Sequence, residues 1–251
     1  MSNIREDGFI GEGTLYINRL DRPDLGYLEV GNATKLSVSM TSEVKERISK
    51  KRENYGAVLD TVIIPKAGEL AITLDTFTHE NLAMVFMGSL AKNEMTAQTI
   101  ADEVVPGQVG RWLKLANGYL KAGTVVVKDS TDTPIPTDKV EVNERQGFIR
   151  LADDVAINTG DELKVNYETA DLKQWVIQAN TDSQVKCALI LDGRNRVNGD
   201  DVTLEIAKAT LSANGAFDIF SEDFNQLELS GRPEVADGQT ASFVVKVKEN
   251  A

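Results

Sequence analysis

From Lys35 onward the chain keeps a period of two: Leu36, Val38 and Met40 point one way, while Ser37, Ser39 and Thr41 point the other. That alternation belongs to a β-strand with one face in a core and one toward water. The period returns at 68–77, where Leu70, Ile72 and Leu74 alternate with Ala71, Thr73 and Asp75. It recurs at 13–18 through Leu15 and Ile17, at 27–31, and at 201–206 through Val202, Leu204 and Ile206. Phe243, Val245 and Val247 close the chain in the same way, within 242–248. Strands of this kind must bury one face against another layer, so the chain is restricted to a mainly β, layered architecture.

One segment breaks the period. Thr78 suits an N-cap, Glu80 stands in the first turn, and Leu82, Val85, Phe86 and Ser89 or Leu90 follow at helical spacing. This predicts a short amphipathic helix over 79–91. Between 105 and 170 the texture changes, with short β runs at 112–115, 124–128, 139–142, 148–151 and 163–167 separated by Gly, Pro and Asp turns. A small all-β subdomain at 105–170, inserted into a discontinuous core of 1–104 and 171–251, is the expected organisation. Strands are expected again at 173–178, 186–191 and 201–211, although 205–213 also fits a helix. The 217–229 stretch is apolar but interrupted by Ser221-Glu-Asp-Phe224. Trp112 and Trp175 are expected in a core or at the subdomain interface.

Composition removes most chemistry. The chain has 27 Lys and Arg against 39 Asp and Glu, a net charge of −12. Such a chain repels nucleic-acid phosphates and anionic membranes. A single cysteine, Cys187, excludes an internal disulfide framework. A single histidine, His79, excludes most histidine-based metal and acid–base chemistry. Any Ser-His-Asp or Cys-His arrangement would need His79, whose place at the helix start points to capping or packing. Gly11-Glu-Gly13 lacks the third glycine of a dinucleotide loop, since position 16 is Tyr and no helix follows. The acidic turns near Asp129 and at 192–201 lack the ligand spacing of a calcium loop. No catalytic residue, metal ligand or cofactor is therefore expected, and the chain reads as a non-enzyme. Its polar N-terminus has no apolar signal-peptide segment, and no run of about 18 apolar residues offers a membrane span. Asn32-Ala-Thr34 is then a chance match to a glycosylation site.

The segment 43–53 carries five bases (Lys45, Arg47, Lys50, Lys51 and Arg52) and three acids, a local charge of +2 in a chain of −12. Asn54-Tyr55-Gly56 supplies a turn, and 58–64 resumes strand composition. The whole reads as a long hairpin with an over-long charged tip. Loops of that length more often have a function than none.

The order of these features is similar to one family. Gly11-Glu-Gly-Thr-Leu-Tyr-Ile17 is followed by Val30-Gly31-Asn-Ala-Thr-Lys-Leu-Ser-Val38 and the charged hairpin. Next come Glu69-Leu-Ala-Ile-Thr-Leu-Asp75, Thr78-His-Glu-Asn-Leu-Ala83 and Met87-Gly88. This succession resembles the tail tube (major tail) proteins of long-tailed bacteriophages. Val202-Thr-Leu-Glu-Ile-Ala-Lys-Ala209 and Ser221-Glu-Asp-Phe-Asn-Gln-Leu-Glu-Leu-Ser-Gly231 look like that family's closing strands. The resemblance covers 8–104 and 171–251, and the insert departs from it.

What it implies is a tail-tube β-sandwich or barrel with one flanking α-helix, assembling with itself into hexameric rings that stack as a hollow tube. The implied place is the virion tail, assembled in the host cytoplasm. The implied partners are further copies, the tape-measure protein, and the tail tip and tail terminator proteins. DNA would pass through without specific binding, and neither membrane nor cofactor is implied. Six copies would carry six times −12, about −72, a charge that repels phosphates from the wall. On this reading Val44, Lys45, Arg47, Ile48, Lys50, Lys51, Arg52, Tyr55 and Val58 form an inter-ring stacking loop. Strand parity directs Lys35, Ser37, Ser39, Thr73 and Asp75 toward the bore. Two alternatives fit the same pattern: a tube protein of a bacterial injection machine, or a β-sandwich adhesin or carbohydrate-binding module whose working part is the insert.

Overall fold

The alternating segments pair as antiparallel strands in the computed structural model, which describes residues 6–248; the polar start at 1–5 lies outside the described residues. The chain begins with β1 (Gly11–Arg19), β2 (Tyr27–Glu29), β3 (Ala33–Ser39), β4 (Ser42–Ile48), β5 (Val58–Pro65) and β6 (Glu69–Leu74). The helix α1 (His79–Val85) and β7 (Ser89–Met95) follow. Then come β8 (Thr99–Pro106), β9 (Trp112–Lys114), β10 (Val126–Lys128), β11 (Val140–Asn143), β12 (Phe148–Leu151) and β13 (Glu162–Glu168). The last strands are β14 (Leu172–Gln178), β15 (Val185–Asn195), β16 (Asp201–Ala213), β17 (Leu227–Pro233) and β18 (Val244–Lys248). The protein is mainly β, and 205–213, which also fitted a helix, is strand.

Two compact units divide the chain: Met1–Leu90 with Ile177–Ala251, and Ala91–Val176. The second is wider at both ends than the expected 105–170. Its own ladder begins earlier, because β8 pairs with β13 from Thr99↔Glu168 to Pro106↔Glu162. β7 and β14, which cross the two boundaries, pair with each other as a ribbon.

In the first unit the sheet order is β2-β1-β15-β16-β17-β6-β3, with β18 beside β16. Leu15 and Ile17 of β1 share one buried cluster with Leu70, Ile72 and Leu74 of β6 and with Leu227 and Leu229 of β17. Strands far apart in sheet order thus meet inside, so the sheet curls about a single core, into which α1 sends Met84 and Val85. Met40, expected to share the face of Leu36 and Val38, is instead 58% exposed, because β3 ends at Ser39.

The helix is N-capped as expected: Asn81 N donates to Thr78 Oγ1 (3.1 Å). Buried Asn81 also donates through Nδ2 to the carbonyls of Val30 and Thr76, both at 2.9 Å. The helix predicted over 79–91 stops at Val85, however. Met87 N bonds Met84 O (3.1 Å) and Gly88 N bonds Ala83 O (2.8 Å), with Met87 at φ 48°. That left-handed turn satisfies the last carbonyls and releases Leu90 into β7.

The second unit holds two three-stranded sheets, β10-β13-β8 and β11-β12-β9. Leu115, Ile149, Leu151, Leu163, Val165 and Tyr167 form its core. The Tyr167 hydroxyl donates to the Glu103 carboxylate and accepts from Asn117 Nδ2 (3.0 Å), so its buried polar tip is satisfied. Trp112 and Trp175, expected in a core or at the interface, are 45% and 48% exposed. For Trp112 the reason is parity: it pairs in register with Arg150, on the face opposite buried Ile149 and Leu151.

Candidate assembly surfaces

β4 and β5 pair from Ser42↔Pro65 to Ile48↔Val58, with a bulge after Arg47, and pair with no other strand among the described residues. The tip at 49–57 is closed by Ser49 N to Ala57 O (2.8 Å) and Gly56 N to Ser49 O (2.9 Å). Ser49 Oγ donates to Asn54 Oδ1 (2.5 Å), which fixes the turn. Gly56, at φ 86°, takes a conformation that a side chain would strain.

The pairs Val44–Ile63 and Lys45–Val62 are adjacent rungs and so present opposite faces. Val44, Ile48, Val58, Val62 and Ile63 are each half exposed or more, and Tyr55 is 76% exposed. Apolar side chains therefore stand in water on both faces of one ribbon. A two-stranded ribbon is marginal alone in water, and contiguous exposed apolar side chains mark a candidate interaction surface.

Of the nine residues expected in a loop, Val44, Lys45, Arg47, Ile48 and Val58 are in strands, and only Lys50, Lys51, Arg52 and Tyr55 are in the tip. Arg47 Nη2 lies 2.5 Å from Asp60 Oδ2, and Lys45 Nζ is 3.9 Å from Glu43. Lys50, Lys51 and Arg52 form no ion pair among the described residues. Sequence reasoning missed Val62 and Ile63; the signal that marks them is the unbroken apolar run Val62-Ile63-Ile64.

A second surface is the outer face of the curled sheet. Lys35, Thr73 and Glu228 are register neighbours, as are Ser37, Ala71, Ser230 and Ser212. Ser39 lies opposite Glu69, and Arg232 opposite Thr210. A shallow concavity of about 430 Å³ is lined there by Ser37, Ser39, Glu69, Ser230 and Arg232. Small hydroxyls with balanced charges make this face wet but not sticky. Lys35, Ser37 and Ser39 are exposed on it, whereas Thr73 is 8% exposed and lies covered. Asp75 stands just past the end of β6 and accepts from Asn32 Nδ2 (2.6 Å). Glu228, Ser230 and Arg232 belong to the same face and escaped sequence reasoning, because β17 sits in a stretch whose start is broken by polar residues.

The reactive side chains are otherwise occupied. Cys187 is fully buried, and burial pushes its thiol up to about 12, with the nearby Arg19 charge pulling the other way. Arg19 is itself buried; desolvation works against its charge, but hydrogen bonds to Asp21 and Asp182 (2.5 and 3.1 Å) prevail and raise its pKa. His79 Nε2 meets Glu80 Oε1 at 2.8 Å at the helix start. Among the described residues, no group of three His, Cys, Asp or Glu is placed to hold a metal, and no helix is long and apolar enough to cross a membrane.

These features define a mainly β chain of two units, the first of which carries an exposed apolar ribbon and a polar sheet face. The chain belongs to the family described as "Protein of unknown function UCP028589", whose profile matches residues 8–240. No curated protein matches it.

Proposed function

We propose that the chain is the structural subunit of a phage tail tube, a non-enzymatic protein that self-assembles into stacked hexameric rings. The observation that carries this reading is the β4–β5 ribbon, whose apolar side chains stand exposed on both faces and which pairs with no other strand among the described residues. A ribbon of that kind suits a subunit whose neighbours complete it. The sheet's end strands β2 and β3 add support, since ring closure pairs such edges and removes the liability of leaving them open. In the tube Lys35, Ser37 and Ser39 would face the bore, with Thr73 beneath them and Asp75 at the strand end. That face of small hydroxyls with balanced charges would give DNA no basic patch to adhere to as it slides through, and the chain as a whole is acidic, at −12. Tape-measure, tail tip and tail terminator proteins would be the partners at the two ends, and the virion tail the location.

Negative-stain electron microscopy across a concentration series tests the proposal. Uniform hollow rods or rings are the expected result. Dispersed monomers at every concentration would count against it. They would favour a carbohydrate-binding module, a reading supported by Trp112, whose exposed ring lies beside Arg150 on an open sheet face.

A further inference from the structure

The loop 214–226, between β16 and β17, offers three large apolar side chains to water. Ile219, Phe220 and Phe224 are 77%, 93% and 100% exposed. The loop is nevertheless anchored. Its Phe217 stands edge-on to Phe86 with ring centres 5.4 Å apart, and 5.8 Å from Phe77. Asn225 Nδ2 donates back to Asp218 O (2.5 Å). Every charge in the loop is negative: Asp218, Glu222 and Asp223, none of them ion-paired among the described residues.

The hairpin tip is its complement. It carries Lys50, Lys51 and Arg52, which form no ion pair among the described residues, around exposed Tyr55. Register places the base of the hairpin and the end of the acidic loop at opposite ends of the same strands. β3 and β6 lead into the hairpin at Ser39↔Glu69, while the 214–226 loop ends at Leu227, which pairs with Leu74. Leu74 in turn pairs with Ala33, the far end of β3. The six residues of β6 separate those ends by about 20 Å. Tyr55, Ile219, Phe220 and Phe224 all stay exposed within one copy, so these side chains are open to a second copy displaced along the strand direction.

We infer that the 214–226 loop is the docking site for the β4–β5 hairpin of a second copy of this chain. Lys50, Lys51 and Arg52 meet Asp218, Glu222 and Asp223 in this head-to-tail contact, and Tyr55 packs among Ile219, Phe220 and Phe224. The two patches differ, so the contact is heterologous and repeats from copy to copy. The inference rests on the reading of the hairpin as a stacking arm and supplies the surface that receives it.

Charge reversal with restoration tests it on the full chain. K50E/K51E/R52E and D218K/E222K/D223K, each alone, should raise the concentration needed for polymer to pellet by about tenfold or more. All six changes in one chain should bring it back to near the wild-type value. These side chains are exposed, so the monomer's melting temperature should hold throughout. Independently, a Y55C/F220C chain should oxidise into a covalent ladder of dimers and longer species, with buried Cys187 silent. Rods that form normally from D218K/E222K/D223K, with no ladder from Y55C/F220C, would overturn the docking site and leave the tube intact. Wild-type protein that does not polymerise, together with a Y55C/F220C chain that does not ladder, would overturn both.

Discussion

Replacing Val44, Ile48, Val62 and Ile63 together by Thr isolates the apolar part of the proposed stacking arm. Thr keeps the β-branch, so both strands retain their preference for extended backbone. In the free subunit these side chains are already 54%, 52%, 57% and 64% exposed, and the substitution takes little from the folded monomer. Full burial of a Val or Ile side chain contributes about 1.5–3 kcal/mol, and rather more than half of that remains to be gained on assembly. That is about 1 kcal/mol per side chain, or about 4 kcal/mol for the four, before the cost of ordering the contact. A net loss of about 3 kcal/mol corresponds to a rise of about a hundredfold in the concentration at which polymer forms. The assay is pelleting against concentration, with monomer melting followed in parallel by circular dichroism. A quadruple variant that polymerises at the wild-type concentration would refute the stacking-arm reasoning. Early melting of its monomer would refute the claim that the ribbon stands clear of the core.

Three further outcomes follow from unit one. A Cβ on Gly231 would lie 2.0 Å from the Thr210 carbonyl oxygen and 2.9 Å from Leu211 Cα, so Gly231→Ala must part β16 from β17; urea denaturation should show a loss of about 2–4 kcal/mol. Asp21, held below its usual 3.8 by the hydrogen bond from Arg19 against the pull of burial, supports the fold at any pH above that value. The support fades as pH falls through the depressed value, and Asp21→Asn should flatten that acid limb of the urea midpoint against pH. Cys187 should resist thiol reagents at mildly alkaline pH in the native protein and label only on unfolding, as read by mass spectrometry.

The sequence reveals most where the chain supplies its own core. Leu70, Ile72 and Leu74 alternate because the buried interior of unit one selects every second residue of β6, and Leu15 and Ile17 answer to the same interior. The end of α1 is invisible to spacing, since Leu82, Val85, Phe86 and Leu90 keep the helical period through it. Just past the left-handed turn at Met87 that ends the helix, a Cβ on Gly88 would lie 2.5 Å from the Gln178 carbonyl oxygen, a close approach that no periodicity encodes. Trp112 misleads in another way, as its size suggests a core while its parity on β9 turns it outward. The ribbon and the 214–226 loop are the instructive failures. Val62-Ile63-Ile64 does not alternate because both faces of β5 stand exposed, and Phe220 and Phe224 are almost wholly exposed among the described residues. A single chain gives such residues no core to explain them. Their apolar character marks a surface open to a partner, and on the proposed reading the basic tip and the acidic loop suit a further copy of the chain.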